Sequence, residues 1–354
     1  MNVNGKPYRT IWMEGSVVRM IDQPRLPHFF EIVDAPGYRD TAKAIRDMVV
    51  RGAGAIGAAG GFGMAQVVLE APDGRGFADF VDNGADVLHT TRPTAQNLFY
   101  AIGRVKLAID GAGSVAAARL AAAEAAQAVA DEDAAACEMI GRLGAALIQD
   151  GARLLTHCNA GWLAFVDWGT ALAPVYAASR AGKRVFVYAD ETRPRGQGAS
   201  LTAWELGNEG VDFAILPDNA AGFMMRKGEI DLVITGSDRI AANGDVANKI
   251  GTYEKAVLAH ELGIPFYVAA PTSTIDPHCA QGDDIPIEER SQDEVLYACG
   301  LLDDGRVGRV RLAPAGAKAR NPAFDVTPAA YVRSIITQNG IFAPGNIIRA
   351  IRAN

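Results

Sequence analysis

The sequence predicts an α/β protein in two parts: a mainly helical N-terminal domain over residues 1–150 and a parallel-sheet C-terminal domain over residues 151–354. Three observations carry this reading. The chain has 354 residues, enough for two domains at roughly 150 residues each. Residues 40–148 read mostly as helix. From Ala152 onward, short apolar runs alternate with helical stretches, the rhythm of a parallel sheet with helices on both faces.

The chain opens on strand-like stretches at 8–12 and 16–21. Over 41–50, Ala42, Ile45, Met48 and Val49 recur at helical spacing. Residues 52–69 form an uncharged run of 18, the length at which a membrane span becomes a candidate. Six of them are Gly, a poor helix former in water, so we read a tightly packed loop and helix. Pro93 sits beside the start of a helix that Thr94 opens and that runs past Gly103. Residues 114–148 are rich in Ala, Leu and Glu, good helix formers. The later apolar runs are 153–156, 184–188, 213–216, 232–235 and 266–270. Helices are predicted between them near 170–181, 201–209, 220–227 and 253–262.

Composition narrows the function. Hydrophobic residues are 49% and charged residues 21%, ordinary for a soluble globular chain. A net charge of −7 speaks against a uniformly basic nucleic-acid surface but leaves room for a local basic pocket. Cys137, Cys158, Cys279 and Cys299 are scattered and never in CxxC spacing, which disfavours disulfide scaffolds and zinc ribbons and suits a reducing compartment. The N-terminus lacks the apolar core of a signal peptide. Asp190, Glu191 and Asp245 show neither HExxH nor DxDxDG spacing, so no metal is expected.

The polar residues gather after the apolar runs: His157 to Gly161, Asp190 to Arg195, Asp218–Asn219, Gly236 to Arg239 and Pro271 to Thr274. Open α/β sheets bind ligands outside the carboxyl ends of their strands, so these loops point to one site. Cys158 follows a strand and precedes a predicted helix, where a lowered thiol pKa would suit a base or nucleophile. Its neighbour His157 is a candidate to orient Cys158, but adjacent residues of an extended chain face opposite ways, so it reads as a hydrogen-bonded packing histidine. The other three cysteines read as structural. Asp238, beside an apolar strand end, reads either as a general acid with a raised pKa or as a cap or partner of Arg239. Gly52 to Gly57 matches GxGxxG, but a helical segment precedes it, which disfavours a dinucleotide site. It reads equally as an anion-binding turn helped by Arg51 or as close helix packing. Arg51, Arg92 and Lys249 are candidate phosphate contacts.

Several long motifs, in order, resemble the S-methyl-5-thioribose-1-phosphate isomerases. They are RGAGAIG from Arg51, TRPT from Thr91 with Asn97 and Leu98, THCNAG from Thr156, and YADETRPRGQGASLTAWE from Tyr188. GSDRIAANGDVANKIGTY from Gly236, residues 265–275, IPIEER from Ile285 and NPAFDVTP from Asn321 complete the set. The resemblance spans about residues 8–345. It implies a helical N-terminal domain, a Rossmann-like C-terminal domain and a cytoplasmic homodimer. It implies a sugar-phosphate substrate and an aldose-to-ketose conversion in methionine salvage, with no nicotinamide or metal cofactor and no nucleic-acid or membrane partner. The matching motifs place catalysis on Cys158 and Asp238, and substrate binding on Arg51, Gly52, Ala53, Arg92, Gln197, Asn248 and Lys249. Gly54 stands where the family usually has Pro. Trp162, Phe165 and Trp168 read either as an apolar wall for the methylthio group or as helix core. A 5-deoxyribose 1-phosphate would fit the same pocket. The same superfamily holds regulatory subunits of a translation-factor exchange complex and a ribose-1,5-bisphosphate isomerase. The latter reading requires a second phosphate site, for which Arg193 and Arg195 are the candidates.

Overall fold

The structure is a computed structural model that describes residues 1–92 and 95–352. It divides into two compact units. The first comprises Met1–Pro24, Phe30–Glu138 and Trp162–Gly169, and the second Arg25–Phe29, Met139–Gly161 and Thr170–Asn354. One cut near residue 150 does not describe this interleaving, because the stretch following the Cys158 loop returns to the first unit.

In the first unit, Ile11–Glu14, Val17–Ile21 and Ile32–Ala35 form a three-stranded antiparallel sheet. Strand alternation turns Val18 and Met20 inward. Five helices follow: α1 (Tyr38–Arg46), α2 (Ala53–Glu70), α3 (Phe77–His89), α4 (Gln96–Asp110) and α5 (Val115–Gly144). Helix α1 stops short of the predicted residue 50, and Met48 takes the left-handed conformation at φ 61°. Pro93 and Thr94, the predicted helix start, lie outside the described residues.

Helix α2 is the uncharged run. Every residue from Gly54 to Val68 is buried, as a helix apolar on all sides requires. Its glycines bring α4 close: a Cβ on Gly60 would lie 2.5 Å from Leu98 Cδ1, and one on Gly57 3.2 Å from Asn97. The run is a core helix, and no helix among the described residues is long and apolar enough to cross a membrane.

In the second unit, seven strands make one sheet: β1 (Ala152–Thr156), β2 (Val185–Asp190), β3 (Asp212–Leu216), β4 (Leu232–Thr235), β5 (Phe266–Ala269), β6 (Ser334–Thr337) and β7 (Gly340–Phe342). The first five coincide with the predicted runs. Their order across the sheet is 3-2-1-4-5-6-7, and every pair is parallel except β6 with β7. The first six strands follow the doubly wound Rossmann order. That order reverses between β1 and β4, so the crevice outside their carboxyl ends is the favoured ligand position. Cys158 follows β1 and Asp238 follows β4. A second, four-stranded sheet joins Ile275–Asp276, Arg239–Ala241, Val246–Lys249 and Phe324–Thr327.

Candidate active site

The site in the second unit is built around Cys158. Its backbone is left-handed at φ 66°, a conformation that costs a non-glycine residue about 1–3 kcal/mol unless neighbours hold it. They do. The Cys158 N–H donates to Thr192 Oγ1 at 2.7 Å, and the Thr202 hydroxyl donates to the Cys158 carbonyl at 2.7 Å. The sulfur donates to Gln197 Oε1 at 3.3 Å. The next α-helix of this unit begins only at Ala173, so the predicted helix N-terminus does not stand at the thiol. The strain and side-chain contacts take its place.

Further hydrogen bonds fix the loop from below. Asn159 donates to Glu205 at 2.8 Å and to Thr202 at 3.1 Å, and Tyr176 donates to the other Glu205 oxygen at 2.7 Å. Burial, with Glu205 beside it, pushes the Tyr176 hydroxyl well above its usual range, so it stays a donor. Gly198 packs directly on the Asp190 carbonyl, leaving no room for a Cβ, and this seats Gln197 next to the sulfur.

Lys249 and Asn248 end the strand Val246–Lys249. The Lys249 ammonium donates to the Ala323 carbonyl at 2.7 Å and lies 4.6 Å from the Phe324 ring centroid. Burial pushes it below the usual lysine range, while Cys158 and Asp238 act in the opposite sense. Asn248 is buried and donates to Thr252 at 2.9 Å. Asp238 donates its backbone N–H to the Ala247 carbonyl at 3.0 Å. Its side chain is exposed, not set in the apolar surroundings that the sequence suggests for a raised pKa.

A cavity beside Gln197 and Lys249 is also bounded by Arg193, Arg290, Glu294 and Asn321. Glu294 is its hub: it accepts from Arg290 at 2.8 Å, Arg195 at 2.9 Å and Asn321 at 3.0 Å. Burial opposes its charge, but Arg290, Asn321 and Arg195 hold the carboxyl below its usual range. The Arg193 guanidinium is bonded to the carbonyls of Pro194 and Val295. Both arginines considered for a second phosphate are therefore engaged within the protein.

In the first unit, Arg51, Gly52 and Ala53 lead into α2. Gly52 has φ 93°, and a Cβ there would come within 2.5 Å of the Ala164 Cα, so only glycine fits. No side chain caps α2, which leaves the amides of its first turn as donors for an anion. Arg51 is buried and donates through Nε to Gln23 Oε1 at 3.0 Å. Arg92 is half-buried ahead of α4. The two readings of the glycine run are thus both realised: Gly52 opens the helix, and Gly57 and Gly60 pack it. Trp162 is wholly buried in a short 3-10 turn, whereas Phe165 and Trp168 cluster with Cys137, Ala164 and Ala53. A Cβ on Gly54 would collide with the Asp133 carboxylate and the Phe165 ring.

His157, Asp190 and Asp218 hold ligand atoms within 4.8 Å of one another. Those atoms already bond within the protein: His157 to Asp190 and Ile250, Asp218 to the N–H groups of Thr192 and Arg193. His157 and Asp218 would reach a metal only by giving these up, whereas Asp190 Oδ1 has no hydrogen-bond partner among the described residues. Sequence reasoning missed Thr192, Thr202, Arg290 and Glu294 as builders of the site. Thr192, Thr202 and Arg290 stand in stretches that carry the family resemblance, but Thr192 and Thr202 bond to Cys158 across 34 and 44 residues, and Glu294 reaches Arg195 across 99.

Residues 49–344 match the Initiation factor 2 subunit family. A methylthioribose-1-phosphate isomerase from Methylocella silvestris is 49% identical over 353 residues, covering 96% of this chain and 95% of its own. The crystal structure of 5-methylthioribose 1-phosphate isomerase from Pyrococcus horikoshii OT3 superposes with a TM-score of 0.88 at 41% identity, covering 99% of this chain and 97% of its own. That of translation initiation factor eIF-2B, subunit delta, from A. fulgidus has a TM-score of 0.83 at 39% identity, covering 98% and 99%.

Proposed function

The chain belongs to the initiation factor 2 subunit family and, within it, to the methylthioribose-1-phosphate isomerases, and from that premise we propose how its residues perform the reaction. The enzyme is an intramolecular oxidoreductase of methionine salvage. It converts the aldose phosphate S-methyl-5-thio-α-D-ribose 1-phosphate to the ketose S-methyl-5-thio-D-ribulose 1-phosphate.

Phosphate on the anomeric oxygen prevents simple opening to a free aldehyde. In our reading the Asp238 carboxyl protonates the ring oxygen as the bond from C1 to that oxygen breaks, and the Cys158 thiolate takes the hydrogen from C2 as a proton. The C1=C2 enol then returns its hydroxyl proton to Asp238 and receives a proton at C1 from Cys158, which restores both groups. The observation that supports this assignment is geometric: Cys158 and Asp238 follow β1 and β4, the two strands between which the sheet order reverses, and Gln197 lies against the sulfur. We assign the phosphate to Arg51, Arg92 and the first-turn amides at Gly52 and Ala53. Gln197, Asn248 and Lys249 take the polar groups of the sugar. The apolar cluster of Phe165, Trp168 and Ala53 supports a wall for the methylthio group. Such a wall discriminates by only about 1–3 kcal/mol per methylene, so 5-deoxyribose 1-phosphate is a second substrate in this proposal.

Turnover of methylthioribose 1-phosphate in heavy water, followed by NMR, tests the chemistry. Deuterium at C1 of the ketose is expected. A product free of deuterium favours a hydride shift from C2 to C1, with Cys158 acting on the C2 hydroxyl. The engagement of Arg193 and Arg195 speaks against a bisphosphate substrate. The presence of both Cys158 and Asp238 speaks against a purely regulatory subunit. The proposal includes a cytoplasmic homodimer. Four cysteines free of disulfides suit a reducing compartment, and sedimentation equilibrium tests the dimer.

A further inference from the structure

His157 precedes Cys158, and its ring is buried. Its Nε2 lies 2.8 Å from the Ile250 carbonyl oxygen. A carbonyl only accepts, so Nε2 carries hydrogen and donates. Its Nδ1 lies 2.9 Å from Asp190 Oδ2, with a proton between them. Asp190 has no solvent exposure, and its other oxygen has no hydrogen-bond partner among the described residues. Burial pushes its carboxyl up, and His157 and Lys255 oppose the rise. The Lys255 ammonium, also buried, stands 3.6 Å from Asp190 and 2.5 Å from Glu254. Gly251 makes room for the ring: its φ is 99°, and a Cβ there would come within 3.0 Å of His157 Cε1 and Nε2.

One imidazole therefore ties three segments together. It belongs to the loop that carries Cys158, it bonds to the last residue of β2, and it bonds to the residue that follows Lys249. A packing histidine would also bond its ring nitrogens, but here the two bonds join the Cys158 loop to the segment that carries Lys249. We propose that His157 is a positioning residue that registers the Cys158 sulfur against the Lys249 ammonium by bridging Asp190 and the Ile250 carbonyl. This rests on the reading of Cys158 and Lys249 as members of the reaction site.

The test compares full-length wild-type enzyme with His157→Ala, His157→Gln and Cys158→Ser. Each is assayed for kcat and KM with methylthioribose 1-phosphate. The rate at which iodoacetamide alkylates Cys158 at fixed pH is read by peptide mass, and folding by circular dichroism. Glutamine keeps a donor for the Ile250 carbonyl and loses the Asp190 link. Misplacing a reacting group by about 1 Å costs on the order of 100-fold, so His157→Ala should lose about that in kcat. His157→Gln should recover about tenfold of it. Alkylation of Cys158 should slow about tenfold in the folded alanine variant, a change that a merely structural role would not produce. A folded His157→Ala with kcat within about threefold of wild type overturns the proposal. So does a kcat loss with unchanged alkylation, or the unfolding of both variants, which would assign His157 to stability alone. Should Cys158→Ser retain turnover, the underlying site reading fails instead, and the two failures are told apart.

Discussion

The start of α2 and the loop after β1 are both tight turns with a positive-φ residue at their centre, Gly52 in one and Cys158 in the other. They are held in different ways. At Gly52 the backbone leans on backbone, with Ala164 against the glycine and no side chain capping the helix. At Cys158 a non-glycine residue is kept in the same unusual region by hydrogen bonds to Thr192 and Thr202. The first turn displays main-chain donors, whose charge does not change with pH. In the proposed assignment the second displays a sulfur whose ionisation matters, and hydrogen bonds from neighbouring side chains hold its loop. Anion holding and proton transfer make those different demands.

The comparison breaks most sharply at the sulfur. Cys158→Ser should lower kcat by about 1000-fold or more while circular dichroism stays native, since serine keeps the shape and backbone bonds but not the thiolate. Activity within about tenfold of wild type would remove Cys158 from the chemistry. The main-chain turn should fail through stability. Gly52→Ala adds a Cβ at a positive φ against Ala164, and a loss of about 2–4 kcal/mol in urea unfolding is expected. A loss under about 0.5 kcal/mol would show that the turn relaxes freely.

A smaller effect separates charge from shape near α2. Burial pushes the Asp133 carboxyl up to about 7, with Asp167 adding to the rise and the Val166 N–H opposing it. An acid whose folded pKa lies above its unfolded value stabilises the fold most at low pH. That stability is lost as pH rises from the unfolded value of 3.8 through the folded value near 7. Asn keeps an acceptor for the Val166 N–H, so Asp133→Asn should gain roughly 1–2 kcal/mol at pH 8. The gain should shrink as pH falls towards 4. A gain independent of pH in chemical denaturation would contradict it. Smallest is Tyr176→Phe, which removes the hydroxyl that donates to Glu205 and should cost about 1 kcal/mol with little change in KM. A large rise in KM would mean that the Glu205 network reaches the substrate.

The same contrast explains what could be read from sequence. The runs that became β1 to β5 were legible because buried parallel strands need apolar residues in short blocks, and their order made the strand-end loops a site. Strands β6 and β7 lie after a long stretch of short strands outside this sheet and carried no such rhythm. Gly52 was legible as a glycine at a turn. The hydrogen-bond partners of His157 were not, because they lie 33 and 93 residues further along the chain, and no local pattern encodes such pairs. Trp162, read from sequence either as a wall for the substrate or as core, is wholly buried and belongs to the first unit although it follows Cys158.

That last segment bears on how the protein is made. Thr10 donates to the Trp162 carbonyl at 2.6 Å and Gln23 to the Leu163 carbonyl at 2.7 Å, both buried. These first-unit bonds wait for residues beyond 160, by which time β1 has already left the ribosome. N-terminal domains ordinarily fold first during synthesis. Here the early core stays unsealed until the chain has passed through the Cys158 loop, so a nascent chain arrested near residue 150 would expose an unfinished helical bundle to chaperones and proteases.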